Sequence, residues 1–565
     1  MSEIKETENQ RPQRFVVIGG VAAGASAAAR ARRLSETAEI TLIERGPDVS
    51  FANCGLPYYI GDEILDRADL AVHTPQTLTA MLNIDVRTNT EATGLDCANK
   101  TLEITDLRTG TTESLAYDKL LLATGASPIR PNLPGIDDGG IHTLRSLEDM
   151  DRIKKAAASV DHITVIGAGF IGLEIAEQMI RKGKQVALVE MVDQVLPPLD
   201  RPMTLLLEDE LRRNQVDLVL GDGIAGFQTS DTGAMACRLQ SGREIETDLV
   251  VLGIGVRPET KLASEAGIEL GPKGHIRVDR FMQTNIPSVY AAGDAVETED
   301  LVTAAPTAVP LGGPANRQGR VVADHIFRGE QARPYPGSLG TAVVRVFEVA
   351  AGLTGWTEKR LVSAGMDYQA VTVGDNHHAS YYPGAKPLTL KMLWDPESGR
   401  VLGAQVTGFE GVDKRLDVMA TAIAGRLTID DLCHLELAYA PPFGSAKDIV
   451  NLAGFAATNA QDGLAVFTDV LPEDTETQLI DIRPAPLVRA HPFPNRKVRN
   501  IPLPMLRDRI GELDKDRPVV TICALGKMAY FGARILAQHG FKVAIYSGGI
   551  RARIDPRTPA KHLPT

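Results

Sequence analysis

Cysteine is the residue type in this chain most able to carry redox chemistry, and the 565 residues contain five of them. None belongs to a CxxC pair, so the sequence excludes a local dithiol motif, a zinc knuckle and a dense disulfide framework. Each cysteine must therefore act alone or meet another sulfur in space. The positions are Cys54, Cys97, Cys237, Cys433 and Cys523.

Cys54 lies in the segment SFANCGLPYYIG, where Gly55, Pro57 and Gly61 indicate a shaped loop or the start of a helix. A helix N-terminus carries partial positive charge, which favours a thiolate over a thiol. We therefore predict that Cys54 is a reactive cysteine.

Cys523 ends the apolar run VVTIC and precedes Gly526 and Lys527, which predicts a turn from a strand into a helix. Backbone N–H groups at such a helix start can hold a persulfide anion, and Lys527 adds positive charge.

Other cysteines and a histidine pair lack the sequence context of a site. We interpret the cysteines as structural and the two histidines, which have no acidic or cysteine companions at ligand spacing, as part of a polar loop without a metal. These residues are Cys97, Cys237, Cys433, His377 and His378.

A repeat in the N-terminal half predicts the elements that position Cys54. The run FVVIGGVAAG leads to EITLIE, which ends at Glu44, and the run ITVIGAGFIG leads to QVALVE, which ends at Glu190. In both copies a β-branched strand ends in glycines, a helix-period segment follows, and a second strand closes on the glutamate. This is the pattern of a doubly wound βαβ unit.

Each part of the repeat suits a nucleotide. Glycines at the turn let the backbone approach a pyrophosphate, and the glutamate can accept hydrogen bonds from ribose hydroxyls. The second copy is a complete GxGxxG, whereas the first has Val21 at the middle position, and a later short strand ends on a carboxylate suited to a polyol hydroxyl. The predicted residues are Gly19, Gly24 and Glu44; Gly167, Gly169, Gly172 and Glu190; and Asp294.

Two nucleotide sites in one chain indicate a bound flavin at one and a nicotinamide nucleotide at the other. Glu190 is followed by Met191, Val192 and Asp193, with no Arg or Lys to receive a 2′-phosphate. The sequence therefore favours NADH over NADPH.

Composition excludes several other classes of protein. Lys and Arg number 60 against 72 Asp and Glu, a formal net charge of −12, and no basic run is present, so nucleic-acid binding is not expected. No apolar stretch approaches the roughly 18 residues of a membrane-spanning helix, and the charged start is unlike a secretory signal. We expect a cytoplasmic protein without a membrane partner.

Changes in sequence texture predict an α/β chain of several units, in which two doubly wound nucleotide-binding domains precede an α+β domain and a small α/β domain. Residues 1–13 read as a disordered tail. The first nucleotide domain is expected at 14–125 and 280–338, the second at 126–279, the α+β domain at 339–460, a linker at 461–474 and the last domain at 475–565.

The double βαβ pattern, the ATG at 123–125, the GD of Gly293 and Asp294, and SFANC together resemble the pyridine nucleotide-disulfide oxidoreductase superfamily, and within it the coenzyme A-disulfide reductases. The last unit is similar to a rhodanese domain, and the fusion resembles coenzyme A-disulfide or persulfide reductases that carry one. The resemblance implies FAD, NADH, coenzyme A as substrate or ligand, and a homodimer joined by the 339–460 domain. It adds Thr124 and Gly125 to the FAD residues.

The same resemblance implies roles for the residues around the substrate. Cys54 matches the redox-active nucleophile, and Tyr381 and Tyr439 match tyrosines that reach the site from the partner subunit, where their hydroxyls could donate to a developing thiolate. The residues matched to the substrate sulfur or to coenzyme A are Ser26, Arg30, Arg33, Ser50, Asn53, Asn316 and Lys447.

Two departures from the pattern keep alternatives open. The stretch 21–23 lacks the histidine of related NADH oxidases and peroxidases, which disfavours an oxidase or peroxidase that cycles Cys54 through a sulfenic acid. The last domain has Met528 where the rhodanese loop has an arginine, so this domain is either a sulfurtransferase or a unit kept for folding or docking. A persulfide sensor or carrier is the third alternative.

The favoured hypothesis is a one-cysteine reductase. Cys54 attacks a disulfide or persulfide of coenzyme A or a related thiol, and electrons from the flavin resolve the mixed disulfide. Cys523 would carry a persulfide to or from Cys54 across the dimer. Coenzyme A disulfide, coenzyme A persulfide, glutathione persulfide and polysulfide remain equal as substrates.

Overall fold

A computed structural model describes residues 11–229, 235–472, 474–493 and 498–550. Residues 1–10 of the expected tail and 551–565 of the last domain lie outside the described residues. The predicted fold class, an α/β chain with two doubly wound units, an α+β unit and a rhodanese-like unit, is confirmed.

The first nucleotide unit is built on a five-stranded parallel sheet whose central strands are fully buried, as expected for runs such as FVVI and KLLL. Its strands, in spatial order, are Val289–Ala291, Lys119–Leu122, Arg14–Ile18, Glu39–Ile43 and Asp85–Arg87. Its helices are Ala22–Leu34, Leu56–Ile60, Pro75–Leu82, Lys261–Glu265 and Gly312–Arg328. Two further three-stranded sheets contain the strands Thr90–Asp96, Thr101–Asp106 and Thr112–Ala116, and Ile276–Arg277, Val296–Glu299 and Pro306–Thr307.

The second nucleotide unit repeats this architecture with a second five-stranded parallel sheet. In spatial order its strands are Asp217–Leu220, Gln185–Glu190, His162–Ile166, Leu249–Leu252 and Ile141–Thr143. Its helices are Leu147–Ala157, Phe170–Arg181 and Leu205–Arg213, and an antiparallel sheet comprises Ile224–Thr229, Met235–Leu239 and Glu244–Thr247. The antiparallel strands Ala126–Pro128 and Val256–Pro258 pair with each other.

The third unit is a five-stranded antiparallel sheet covered by helices, because its strands alternate apolar side chains that need a partner layer. In spatial order the strands are Ala342–Val346, Val349–Gly355, Val401–Gly408, Pro387–Trp394 and Gln369–Asn376. The helices are Glu358–Ala364, Val412–Ala424, Ile429–His434 and Ile449–Gln461.

The last unit has a five-stranded parallel sheet ordered Phe467–Thr468, Val543–Tyr546, Val519–Ile522, Gln478–Asp481 and Arg499–Asn500, with helices Ala485–Ala490 and Lys527–Gln538. The expected linker at 461–474 therefore contains an edge strand of this sheet. Backbone N–H of Thr372 in the third unit donates to Oγ of Ser547 at 2.8 Å, which holds the last unit against the third.

Candidate active site

The first glycine turn brings two strands and a helix together more closely than a side chain would permit. A Cβ at Gly19 would overlap the carbonyl oxygen of Ala123, and a Cβ at Gly24 would overlap the carbonyl oxygen of Gly19. The Glu44 carboxylate accepts hydrogen bonds from the backbone N–H of Gly20 at 2.8 Å and of Gly46 at 2.9 Å. The turn thus has the close backbone and the placed acid that a nucleotide needs.

The second glycine turn has the same geometry and one further feature. Gly167 has φ of +100°, and a Cβ at Gly172 would overlap the Gly167 carbonyl oxygen. In contrast, a Cβ at Gly169 would meet nothing within 4 Å, so open space lies beside the N-terminus of the helix Phe170–Arg181. Glu190 accepts from the N–H of Ala168 at 2.8 Å. The open space fits a pyrophosphate at the helix start.

Asp294 suits the role of a carboxylate that binds a hydroxyl of a flavin nucleotide. Burial raises its pKa, and the Arg145 guanidinium opposes that increase. Thr124 Oγ1 donates to the carbonyl of Glu259 at 2.5 Å, and a Cβ at Gly125 would lie 2.5 Å from Nη2 of Arg145. Gly125 therefore packs against a residue that the sequence analysis did not single out, Arg145, whose charge also acts on Asp294.

Cys54 lies in a short 3-10 turn, Asn53–Gly55, that leads directly into the helix Leu56–Ile60. Its side chain is exposed, but the protein packed around the sulfur raises the pKa of the thiol, and the carboxylates of Glu174 and Asp294 raise it further. Desolvation and the two carboxylates therefore oppose the predicted stabilisation of the thiolate by the helix start. A helix of five residues has few aligned peptide dipoles, so nearby carboxylates and desolvation prevail.

Ser50 and Asn53 share the loop of Cys54 and tie it to its surroundings. The N–H of Ser50 donates to the carbonyl of Gly20 at 2.8 Å, which fixes the loop to the first glycine turn. With its amide oriented to satisfy both neighbours, Asn53 donates to the carbonyl of Phe51 at 3.1 Å and accepts from Nη1 of Arg145 at 2.9 Å. Arg145 therefore contacts the cysteine loop and acts through its charge on Asp294.

A second group missed by the sequence analysis lies on the helix that begins at the second glycine turn. Burial raises the pKa of Glu174 to about 7, and the hydroxyl of Tyr58 donates to its Oε1 at 3.2 Å. Arg345 pairs with Glu63, its Nη1 lying 2.9 Å from Oε1, and with Glu177 at 3.3 Å. The available signal was an acid inside the apolar helix sequence FIGLEIA, two residues after the last glycine of the motif.

Four of the residues matched to coenzyme A lie on two helices, Ala22–Leu34 and Gly312–Arg328. Ser26 Oγ donates to Oδ1 of Asn316 at 2.7 Å, which joins the helices that carry them. Arg30 Nε donates to Asp324 at 2.8 Å, so this guanidinium is already paired. Arg33, one turn later, is exposed.

The third unit contributes an exposed pair of tyrosines. The hydroxyls of Tyr381 and Tyr439 lie 3.1 Å apart, and the two side chains are 74% and 48% exposed. Lys447 is also exposed in this unit. Within the described part of this single chain, no hydrogen bond joins the tyrosines to Cys54.

Cys523 lies at the end of the strand Val519–Ile522 and is only 1% exposed. Its sulfur accepts from the backbone N–H of Gly526 at 3.1 Å and of Ala529 at 3.2 Å. Burial raises the pKa of the thiol, and these N–H groups oppose that increase. The loop therefore presents N–H donors to a sulfur anion, as its sequence predicts.

The Cys523 loop also touches the third unit. A Cβ at Gly374 would lie 2.9 Å from the side chain of Leu525. Lys527 is exposed, and Met528 is half-buried against the core of the last unit. The side chain that replaces the expected arginine therefore packs inward.

The other cysteines and the histidine pair differ from one another in environment. Cys237 is fully buried, and burial raises the pKa of its thiol to about 12, whereas Cys97 and Cys433 are half-buried. His377 and His378 lie in a loop, as predicted, but their side chains are buried, at 9% and 4% exposed. Among the described residues, no group of three or more His, Cys, Asp or Glu side chains could hold a metal.

Comparison with known proteins identifies the family. Residues 13–311 match the pyridine nucleotide-disulphide oxidoreductases, and residues 341–449 match their dimerisation domain. The chain belongs to this family. Residues 468–553 match the rhodanese-like domain. The family implies FAD and NAD(P)H as cofactors.

Similar proteins share all or part of this organisation. The chain is 34% identical over 446 residues to a coenzyme A disulfide reductase of Staphylococcus aureus, which covers 79% of this chain and 99% of the relative. The structure of reduced Bacillus anthracis CoADR-RHD is 43% identical with a TM-score of 0.92, and covers 97% of this chain and 98% of that one. A NAD-dependent persulfide reductase from A. fulgidus is 38% identical with a TM-score of 0.91, over 96% and 100% of the two chains.

The resemblance to coenzyme A-disulfide and persulfide reductases with a rhodanese domain is therefore confirmed. A search of the described residues finds no helix with the length and apolarity to span a membrane.

Proposed function

We propose that this chain is a homodimeric, FAD-dependent NADH oxidoreductase that reduces coenzyme A disulfide, coenzyme A persulfide or polysulfide through Cys54, with a sulfurtransferase activity at Cys523. The observation that carries the proposal is the setting of Cys54. It is an exposed thiol close enough to Asp294 of the first nucleotide unit and Glu174 of the second that both carboxylates act on its pKa.

The proposed cofactor residues divide between the two glycine turns. FAD would be held by Gly19, Gly24, Glu44, Thr124, Gly125 and Asp294, and NADH by Gly167, Gly169, Gly172 and Glu190. The exposed Met191 after Glu190 offers no positive charge for a 2′-phosphate, which supports NADH rather than NADPH. A flavin, when bound, supplies the transfer of an electron pair from a nicotinamide nucleotide to a sulfur centre.

Cys54 performs the exchange at sulfur. Its thiolate attacks one sulfur of a disulfide R–S–S–R′, so that a bond from Cys54 to R–S forms, the S–S bond breaks, and R′–S⁻ leaves. Addition of two electrons to the mixed disulfide returns the Cys54 thiolate and releases R–S⁻, which takes a proton. With a persulfide, attack on the outer sulfur releases the parent thiol, and two electrons then release sulfide.

Glu174 and Arg145 adjust the charge at this site. With a pKa of about 7, Glu174 takes up a proton near neutral pH, which removes a negative charge that opposes the thiolate. Arg145 contacts Asn53 and opposes the increase that burial causes in the pKa of Asp294, so it adds positive charge to the site. Ser50 and Asn53 would lie beside the substrate sulfur.

Coenzyme A would bind along the first helix and the helix that packs on it. Ser26 and Asn316 already contact each other, and Arg33 is exposed and free to approach phosphates, whereas Arg30 would do so while paired to Asp324. Lys447 would complete the site.

Tyr381 and Tyr439 would act on the partner subunit's site. Their exposure on the unit that matches a dimerisation domain supports this assignment, because an exposed pair of tyrosines is suited to an interface. Their hydroxyls would donate to the thiolate that leaves during exchange.

The last unit would carry sulfur on Cys523. Its thiolate would take the outer sulfur of a persulfide donor, forming Cys523–S–S⁻ and releasing the donor thiol, and the nest of N–H groups would stabilise the terminal anion. That sulfur would then pass to or from Cys54 across the dimer. Because Met528 stands where the rhodanese loop has an arginine, Lys527 is the cation that this loop exposes.

One comparison of substrates tests the proposal. Steady-state NADH oxidation is measured with coenzyme A disulfide, coenzyme A persulfide, glutathione persulfide and polysulfide, for the wild type and for Cys523→Ser. We expect turnover with at least one coenzyme A substrate, and a loss in Cys523→Ser confined to the sulfur-chain substrates. Turnover with oxygen or peroxide alone would contradict the proposal and favour the oxidase or peroxidase alternative, and single-turnover behaviour with every substrate would favour a sensor or carrier.

A further inference from the structure

The loop that carries Tyr381 is closed at its base by a buried histidine. Residues 377–386 connect the strands Gln369–Asn376 and Pro387–Trp394. The backbone N–H of His377 donates to the carbonyl of Lys386 at 2.9 Å, and Nδ1 of the same histidine accepts from the backbone N–H of Lys386 at 3.0 Å. One residue thus makes both bonds at the base of the loop, one with its backbone and one with its ring.

The opposite edge of the ring is fixed as well. Nε2 of His377 lies 3.1 Å from Oε2 of Glu410, and Oε1 of Glu410 lies 2.8 Å from Nζ of Lys386. Because Nδ1 accepts a hydrogen bond from the backbone N–H of Lys386, the ring proton resides on Nε2, which faces the Glu410 carboxylate. Lys386 is therefore held at its backbone and at its side-chain amine by a single histidine and glutamate pair.

The same base supports the segment that carries Tyr439. Nη2 of Arg415 donates to the carbonyl of His377 at 2.7 Å and to Oδ2 of Asp448 at 2.7 Å. Asp448 caps the helix Ile449–Gln461, which follows the Tyr439 segment, and the ion pair is almost fully buried, with side-chain exposures of 3% and 4%. The two tyrosine segments are therefore joined beneath the surface by one guanidinium.

A direct backbone contact reinforces this connection. The N–H of Ala379 donates to the carbonyl of Gly444 at 2.9 Å, between the two tyrosine segments. The ring of His378 packs 4.1 Å from that of His377, centroid to centroid, and its Nδ1 lies 3.0 Å from the carbonyl of Ala379. Buried hydrogen bonds that converge on one loop in this way hold it in a single conformation.

We infer that His377 is a positioning residue for the Tyr381 and Tyr439 hydroxyl pair. It contacts neither tyrosine hydroxyl, and it acts by closing the loop that places Tyr381 at 3.1 Å from Tyr439. The inference rests on the proposed function, in which these hydroxyls donate to the departing thiolate. If the ring only filled space, the rate of exchange would depend on the volume of the side chain at position 377. If the ring positions the loop, the rate depends on the hydrogen-bond acceptor at Nδ1.

Two substitutions separate these roles. Asparagine places its Oδ1 close to the position of the histidine Nδ1, so His377→Asn keeps an acceptor for the N–H of Lys386, whereas His377→Ala removes it. Ser398→Ala is the matched control, because Ser398 accepts from the N–H of Arg400 at 3.3 Å at the base of the neighbouring hairpin, which carries no proposed site residue. The measurements are kcat with coenzyme A disulfide and NADH, the rate of flavin reduction by NADH, and Tm, all on the FAD-loaded dimer.

We expect His377→Ala to lower kcat about tenfold, the loss that a misplaced hydrogen-bond donor produces, with flavin reduction unchanged. His377→Asn should return kcat to within about twofold of the wild type, and Ser398→Ala should have no effect. Equal loss in His377→Ala and His377→Asn, or no loss in either, would overturn the inference.

A double-mutant cycle makes the test independent of folding. His377→Ala is combined with Tyr381→Phe and Tyr439→Phe, which lack the hydroxyls that His377 is inferred to place. We expect no further loss of kcat in that background, because the two changes remove the same interaction. A loss of the same size in both backgrounds would show a purely structural role and overturn the inference. Failure of the proposed function has a different signature, which is turnover that persists in Cys54→Ser.

Discussion

The hydroxyl of Tyr58 donates a 3.2 Å hydrogen bond to the Glu174 carboxylate, which joins the helix after Cys54 to the helix Phe170–Arg181 of the second nucleotide unit. This bond places a carboxyl group with a pKa of about 7 beside the reactive cysteine. The thiol that is proposed to react is therefore coupled to a proton-binding group on the unit that is proposed to bind NADH.

Glu174→Gln should lower the pKa of the Cys54 thiol, because the Glu174 carboxylate is one of the two charges that raise it. The measurement is the pH dependence of Cys54 alkylation, followed by mass spectrometry of the Cys54 peptide in the FAD-loaded protein. Glu265→Gln, an exposed substitution in the first nucleotide unit, is the control. A midpoint that stays in place or moves upward in Glu174→Gln would contradict this coupling.

The same substitution should change how stability depends on pH. Burial raises the Glu174 pKa from 4.5 to about 7, so the stability that the protonated group lends is complete below about pH 4.5 and is lost as pH rises through about 7. The Tm of Glu174→Gln relative to the wild type should therefore increase between about pH 5 and about pH 8. A relative Tm that is constant over this range would show that the carboxyl group titrates normally.

Two glycines of the second turn should respond differently to a methyl group. Gly169→Ala fills open space at the helix start without a clash, so we expect Tm to be retained and KM for NADH to increase roughly tenfold, or about 1.4 kcal/mol of binding free energy. Gly172→Ala would overlap the Gly167 carbonyl oxygen and should cost about 1–3 kcal/mol of stability. Unchanged NADH affinity in Gly169→Ala would place the nucleotide elsewhere.

The Cys523 loop offers a similarly matched pair. Gly526 and Gly540 have φ of +88° and +85°, so alanine at either should cost about 1–2 kcal/mol of stability. Of these two glycines, only Gly526 donates its N–H to the Cys523 sulfur. We expect Gly526→Ala, and not Gly540→Ala, to reduce the amount of Cys523 persulfide formed with polysulfide, as measured by intact-protein mass. Equal persulfide formation in the two variants would contradict a role for the N–H nest.

The nucleotide-binding elements were predictable because their signals are local. The glycines at 167, 169 and 172 and the acid at Glu190 lie within one βαβ unit, where period and turn chemistry can be read from consecutive residues. The surroundings of Cys54 were less predictable, because the five-residue length of the helix and the two neighbouring carboxylates follow from the fold.

The residues that the sequence analysis missed depend on contacts between distant segments. Arg145 meets Asn53, and Tyr58 meets Glu174, across separations of about a hundred residues that no periodic pattern encodes. The sequence predicts the polar loop of His377 but not the burial of its ring, since its acidic partner Glu410 lies on another loop and its ring nitrogen accepts from the backbone of Lys386. The edge strand Phe467–Thr468 is too short to show a period of two.

The central claim is that a single cysteine, Cys54, carries the exchange at sulfur. The most direct test is anaerobic mixing of FAD-loaded Cys54→Ser with NADH, followed by coenzyme A disulfide or coenzyme A persulfide, while flavin absorbance and free thiol are recorded. The account predicts that NADH reduces the flavin at the wild-type rate and that addition of either sulfur substrate neither reoxidises it nor releases thiol. Reoxidation with release of thiol at the wild-type rate would contradict it.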